Sequence, residues 1–325
     1  MNILVTGGAG FVGSFICESH LERGDSVVAL DLSDGDKINH LLDNPSFRFL
    51  QGSITDELLM DREIRACDMI YHLAAIADPR VYVKDPLRTM EMDLVAGLQV
   101  VEAASRYGKK IVFTSTSEVY GRNPKVPWSE DDDRVLGSTT VNRWCYATSK
   151  AAVEHLILAH RQRNALEFVI FRLFNVYGPR LDSLGAGRVI PIFLHRFLNG
   201  LPVQVHGDGQ QTRTFCYVED AVDGMVQSAM SPTTANSILN VGTDREVSIL
   251  EIAETLKRLG GFDSAIEFVS HESVFGASYE DIPRRVPDLR RIRDLVGWSA
   301  ETSLDDGLAK TIEYFRDQAG RRMYE

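Results

Sequence analysis

Asn2-Ile3-Leu4-Val5-Thr6-Gly7-Gly8-Ala9-Gly10-Phe11-Val12-Gly13 opens as a short β-rich run and passes at once into glycines spaced three apart. Apolar residues then recur at helical spacing through Phe15, Ile16 and Leu21 until Gly24. Strand, glycine turn and helix together make a G-x-x-G-x-x-G pattern credible as a dinucleotide site. The glycines let the backbone approach a pyrophosphate, which rests on the helix N-terminus. The next strand, residues 26–30, ends at Asp31, 18 residues beyond Gly13. About 20 residues are expected before the acid that holds an adenosine ribose. A carboxylate there accepts from a 2′-hydroxyl and repels a 2′-phosphate, which predicts NAD rather than NADP. A tight β-α turn explains the glycines alone; Asp31 at this spacing is what favours the cofactor.

Outward from this unit, strands and helices alternate. Residues 47–51 read as a third strand leading into Gly52-Ser53-Ile54-Thr55-Asp56, and 69–75 as a buried fourth ending in small residues. A long helical stretch covers 86–107, a fifth strand 110–115, a helix 143–160 and a sixth strand 167–173. The predicted class is α/β, a Rossmann-type doubly wound parallel sheet with ligands at the carboxyl ends of its strands. After Phe174-Asn175-Val176-Tyr177-Gly178-Pro179 the alternation breaks up. Helices near 188–199, 248–259 and 303–317 mix with short strands near 203–205 and 237–241, a smaller mixed α/β C-terminal domain. The expected division is 1–174 for the cofactor, with a return at 214–241, and 175–213 plus 242–325 for the substrate.

Tyr146-Ala147-Thr148-Ser149-Lys150, read with Ser115-Thr116-Ser117-Glu118 upstream, carries the chemistry. On a helix, Tyr146 and Lys150 project from one face. The Lys charge favours the phenolate, so the phenol is expected to work as a base below its free pKa of about 10. Beside a nicotinamide, such a base removes a proton from a sugar hydroxyl while the adjacent hydride leaves. His72 reads as a packed histidine rather than a catalyst.

Composition narrows the classes. The net charge of −11 argues against a general nucleic-acid binder. Arg outnumbers Lys by 27 to 8, and Arg suits forked recognition of phosphate and carboxylate. Cys17, Cys67, Cys145 and Cys216 show no paired spacing, and the eight His form no cluster, so no metal is expected. No apolar run approaches the ~20 residues that span a bilayer. Residues 1–6 carry no basic leader, so the chain is read as cytoplasmic, without membrane or nucleic-acid partners.

Several motifs together resemble the extended short-chain dehydrogenase/reductase superfamily, specifically its NAD-dependent nucleotide-sugar epimerases, dehydratases and decarboxylases. They are Gly7–Gly13, Asp31, His72-Leu73-Ala74-Ala75, Tyr146-x-x-x-Lys150, Arg172-x-Phe174-Asn175-Val176-Tyr177-Gly178-Pro179, Gly207-Asp208-Gly209 and Arg213-x-Phe215-x-Tyr217-Val218-x-Asp220. The chain is most similar to the UDP-glucuronate decarboxylases through Ala74-Ala75-Ile76-Ala77 with Tyr82, Thr116–Gly121, Asn142-Arg143-Trp144-x-Tyr146 and Arg284-Arg285-Val286-Pro287-Asp288.

The resemblance implies that NAD is held by Gly7, Gly10, Phe11, Val12, Gly13, Asp31, Ser53, Ile54, Leu73, Ala74 and Ala75 together with Tyr146 and Lys150. It implies that Ser117 helps Tyr146 hold a 4-hydroxyl and that Glu118 and Arg285 serve decarboxylation. Tyr82, Asn175, Arg188, Val189, Arg213 and Arg285 are expected around a UDP-sugar, with Arg213 suited to a pyrophosphate. The run Arg284, Arg285, Arg290, Arg291, Arg293 is otherwise read as a solvated basic face. A homodimer is implied, built on the helices near 86–107 and 144–164, with Val95, Leu98, Val153 and Leu156 serving either that interface or the core. Three positions depart from the pattern: Val286 replaces a Lys, Gly52-Ser53 a Gly-Asp, and Asp93 an Asn. Asp93 is expected to bear on helix packing. A 4,6-dehydratase, with Glu118 removing the C5 proton, and a 4-epimerase stay open. A non-catalytic NAD-binding sensor is the reading from another class.

Overall fold

The computed structural model describes residues 1–181, 184–185, 187–270, 282 and 284–322. Its first half is strand, helix, strand in regular succession. These are β1 (Asn2–Thr6), α1 (Phe11–Glu22), β2 (Ser26–Asp31), β3 (Phe47–Gln51), α2 (Glu57–Ala66) and β4 (Met69–His72). After them come α3 (Pro79–Lys84), α4 (Pro86–Met90), a single π turn Glu91–Val95, α5 (Ala96–Arg106), β5 (Lys110–Thr116), α6 (Trp144–Asn164) and β6 (Phe168–Leu173). A seventh strand, Ser237–Val241, pairs parallel with β6.

The order across the sheet is Ser237–Val241, β6, β5, β4, β1, β2, β3, and every pairing is parallel. The chain runs outward from β1 through β2 and β3, then crosses to the other side of β1 at β4. That reversal leaves a crevice beyond the carboxyl ends of β1 and β4, the usual ligand position in such sheets.

Alternation along each strand explains why the sheet is covered on both faces. Ile3, Val5, Val27, Ala29, Tyr71, Val112, Val169 and Phe171 belong to one core with α1 and later helices. Leu4, Leu30, Ile70, Ile111, Phe113, Phe168 and Ile170 belong to the other, with α2, α5 and α6. Parallel strands buried on both sides read as continuous apolar runs for this reason. Burying one large aliphatic side chain stabilises by roughly 1.5–3 kcal/mol.

The long helical stretch expected over 86–107 is present from Pro86 to Arg106, with its middle turn, Glu91–Val95, wound as π. The helix Glu57–Ala66, capped by Asp56 accepting from Leu59 N at 3.0 Å, had no counterpart in the sequence reading. Neither had Val218–Met230. In the second half Val203–His206 pairs parallel with Ile266–Val269, and Thr212–Thr214 antiparallel with Glu246–Ser248. Around them stand the helices Val189–Leu198, Ile249–Gly260 and Leu304–Arg322. Among the described residues, no helix is long and apolar enough to cross a membrane.

Candidate active site

A cavity of about 760 Å³ lies across the crevice and takes side chains from both halves. At its sheet end the wall is backbone. Gly7 has φ +73°, and a Cβ on Gly13 would stand 2.1 Å from the Gly7 carbonyl oxygen, a separation no side chain tolerates. The turn from β1 into α1 is closed to any other residue there. Gly10 caps α1 without a side-chain hydrogen bond, so the first N–H groups of the helix are not taken by a capping side chain. Asp31 ends β2 at the cavity wall and is anchored by N–H groups of Ala9 (3.1 Å) and Ser33 (3.0 Å). A glycine cradle, an uncapped helix N-terminus and a ribose-level carboxylate fit a dinucleotide with a free 2′-hydroxyl.

Every other residue the sequence reading assigned to the site lines this cavity, with one exception. Ser53 does not: its hydroxyl pairs with Thr55 Oγ1 at 2.7 Å and accepts from Thr55 N at 3.1 Å. Its hydroxyl is used by the local turn.

At the far end, β5 delivers Ser115 and Thr116, and the following 3₁₀ turn Ser117–Tyr120 delivers Ser117 and Glu118. Beneath them, α6 presents Tyr146 and Lys150 on one face, both buried. Lys150 Nζ donates to Thr114 O at 2.9 Å and lies 4.8 Å from the Phe113 ring centre. Tyr82 stacks flat on Tyr146, with ring centres 5.2 Å apart and planes 1° from parallel.

Burial, followed by the charges of Asp93 and Glu118, pushes the Tyr146 phenol above its ordinary value, while Arg188 and Thr116 work the other way. Burial also pushes Lys150 down, against Asp93 and Glu154. This corrects the expectation of a phenol lowered by Lys150. Burial of the phenol, the first of these causes, outweighs the help expected from the ammonium. His72 is fully enclosed, pairs with Thr6 Oγ1 at 2.8 Å and is pushed down to about 3 by burial, which keeps it a neutral packing group.

Glu118 is the most constrained charge in the site. Its Oε1 meets Arg285 Nη1 at 2.6 Å and its Oε2 meets Arg143 Nη2 at 3.2 Å. Burial opposes ionisation, but Arg285, Arg143 and more distantly Arg213 outweigh it and hold the carboxyl below the usual range. Arg143 was quoted in the sequence reading as part of a motif and given no role. Its signal was its place three residues before Tyr146, inside the turn that leads into α6.

The basic run near 284–293 is not a uniform solvated face. Arg285 enters the cavity, Arg284 pairs with Glu246, and Arg291 reaches Asp131 and Glu130. Arg180 leaves the cavity altogether, pairing with Glu18 at 2.7 Å and lying over Phe15, so it ties the second half to α1. Asn175 lines the cavity and donates to Thr214 O at 3.0 Å.

Residues 3–242 match the NAD dependent epimerase/dehydratase family. The chain belongs to that family. It is an enzyme fold of NAD-dependent nucleotide-sugar modification, and NAD is the cofactor its cradle fits. The chain is 36% identical over 97% of its length to a UDP-N-acetyl-alpha-D-glucosaminuronate decarboxylase of Bacillus cytotoxicus, covering 97% of that protein. It is 34% identical to UDP-glucuronic acid decarboxylase 1 of Xenopus tropicalis, over 97% of this chain and 72% of that one. Among solved structures, UDP-glucuronic acid 4-epimerase of Bacillus cereus, in complex with UDP-glucuronic acid and NAD, superposes with a TM-score of 0.86 at 28% identity. That match covers 98% of this chain and 100% of the other.

Proposed function

We propose that this protein decarboxylates a UDP-hexuronic acid, UDP-glucuronate first, through oxidation at C4. The observation that carries the reading is Glu118 held ionised between Arg285 and Arg143 in the cavity that also contains Tyr146 and Lys150. The relatives with decarboxylase names support it.

Gly7, Gly10, Phe11, Val12, Gly13, Asp31, Ile54 and the Leu73–Ala75 loop would hold NAD, which when bound supplies the oxidant for C4. Tyr146 takes the proton of the 4-hydroxyl, with Ser117 fixing that hydroxyl and Lys150 lending charge. Once C4 is a ketone it stands β to the C5 carboxylate. The C5–C6 bond then breaks, carbon dioxide leaves, and the bond's electrons stay on C5 and O4 as an enolate. A proton returned to C5 completes the decarboxylation and leaves a 4-keto pentose, which is either released or reduced again at C4 by the hydride it gave up. Arg285 orients the departing carboxylate; its Nε is buried and has no hydrogen-bond partner among the described residues, so it has a donor in hand. Glu118 keeps Arg285 in place. Arg188, Val189, Arg213 and Asn175 form the nucleotide-diphosphate end, and Tyr82 covers the sugar.

The division of labour follows: residues 1–174 with 214–241 for the cofactor, and 175–213 with 242–325 for the nucleotide sugar. A homodimer through the helices of 86–107 and 144–164 is supported by Val95, which is 53% exposed; Val153, wholly buried, serves the core instead. We place the enzyme in the cytoplasm, where its four unpaired thiols stay reduced.

The test is incubation with UDP-glucuronate, its 2-acetamido counterpart and neutral UDP-hexoses, with carbon dioxide and product mass as readouts. Carbon dioxide from a uronate supports the proposal. Loss of water from a neutral hexose, or inversion without a mass change, overturns it in favour of a dehydratase or epimerase.

A further inference from the structure

Asp93 is no mere packing residue. It sits in the π turn Glu91–Val95, 2% exposed, and its Oδ1 accepts from Ile76 N at 2.8 Å. That bond ties the turn to the loop whose Ala74, Ala75 and Ala77 line the cavity. Its Oδ2 is buried and has no hydrogen-bond partner among the described residues. The π turn packs on α6, and the titratable groups that feel Asp93 are Cys145, Tyr146 and Lys150 of that helix. On the sheet side is His72, whose Nε2 lies 3.7 Å from where a Cβ on Gly97, one turn beyond Asp93, would stand.

Lys150 poses the charge problem that Asp93 answers. Lys150 is 2% exposed and its ammonium is bonded to one carbonyl, and a buried ammonium needs a counter-charge to stay protonated. Two carboxylates act on it, Asp93 and Glu154. Glu154 is committed elsewhere, accepting from Ser115 Oγ at 2.5 Å and from Arg172 at 3.1 and 2.7 Å through both of its oxygens. Asp93 has an oxygen to spare.

We propose that Asp93 is the counter-charge of Lys150 and a positioning residue for proton transfer at Tyr146, acting without a direct ion pair across the dry space between the π turn and α6. The inference rests on the reading of Tyr146 and Lys150 as the proton-transfer pair. An anion at this place raises the proton affinity of both neighbours: Lys150 is kept protonated and Tyr146 is made harder to ionise. The carboxyl itself is pushed up to about 6 by burial, with Lys150 and the Ile76 N–H opposing. The counter-charge is therefore present at neutral pH and fades as pH falls through that value.

Asp93→Asn keeps an oxygen for Ile76 N and removes the charge. With the NAD-loaded enzyme and the nucleotide sugar it turns over, both limbs of the kcat/KM profile move to lower pH. The shift is about one unit, as for a charge several ångströms away at an effective dielectric near 20. Well below the Asp93 titration at about 6 the variant and the wild type converge. Asp93→Ala, which also frees Ile76, shows the same shift with an added loss of kcat/KM. An Asp93→Asn profile that superimposes on the wild type, or falls uniformly with its limbs unmoved, overturns the proposal. Titration of phenolate absorbance in the NAD complex separates the two readings. If Tyr146→Phe removes no transition from it, the proton-transfer pair is wrong. If it removes one that Asp93→Asn leaves unmoved, only the role of Asp93 falls.

Discussion

The two ends of the cavity are built from different materials. The cofactor cradle is mostly backbone, contiguous in sequence from Gly7 to Gly13, and its shape is enforced by sterics: a Cβ on Gly13 has nowhere to go. The reacting end is made of side chains, with Glu118 from the turn after β5, Tyr146 and Lys150 from α6, and Arg285 from far along the chain. A steric cradle is robust to changes of charge and intolerant of added volume. A charge cluster is the reverse, since each member's ionisation depends on the others. Variants that break one end should therefore leave the other measurably intact.

The largest effect is expected from Tyr146→Phe, which keeps the stack on Tyr82 and deletes the proton acceptor. Turnover should fall by at least roughly 10²–10⁴-fold. NAD affinity by calorimetry should barely move, and an equal loss in both would dissolve the distinction between the two ends.

Gly13→Ala is the mirror image. It should cost NAD binding at least about tenfold, about 1.4 kcal/mol. The far end, followed by UDP binding, should stay close to the wild type. NAD binding at wild-type strength would mean the turn yields more than its geometry allows.

Arg285→Ala strips Glu118 of its nearer cation. Removing one partner of a buried pair typically costs about 3–5 kcal/mol, so carbon dioxide release should collapse and the melting temperature should drop. The pH sign follows from the depressed Glu118 carboxyl. Its contribution to stability is present above the unfolded carboxylate pKa of about 4.3 and is lost as pH falls through the lower folded value. Hence the melting difference between wild type and variant should be large at neutral pH and shrink in acid. A difference independent of pH would separate Arg285 from Glu118's charge.

Asp31→Ala should act more mildly, weakening NAD and narrowing its advantage over NADP; a wild type that prefers NADP would remove Asp31 from the ribose. The smallest effect on catalysis is expected from Val95→Lys, which should shift the mass in solution toward monomer with both ends of the site intact. An unchanged oligomeric state would take the π turn Glu91–Val95 out of the interface.

Much of this was legible in residues because the cradle is local. The glycine spacing, the helix behind it and Asp31 at the next strand end depend on neighbours within one βαβ unit. Tyr146 and Lys150 were legible for the same reason, as four positions on a helix put both on one face. Ser53 stands outside the cavity lining because its preference for a tight turn with Thr55 is as local as the cofactor contact it was assigned. The state of Tyr146 was misread because a pKa depends on everything within several ångströms, including groups no spacing reveals.

The sequence by itself determined the parallel sheet, the dinucleotide turn, the place of Asp31 at the end of β2 and the Tyr–Lys pair, each set by short-range periodicity and sterics. Only the tertiary structure decided that Arg143 and Arg285, 142 positions apart, grip the same carboxylate. It alone decided that Asp93 is buried in a π turn packed on α6, and that Arg180 braces α1 through Glu18. Those facts concern charges gathered from distant segments into one dry volume, where Coulomb interactions are strong and long-ranged. No one-dimensional pattern encodes which charges will share it.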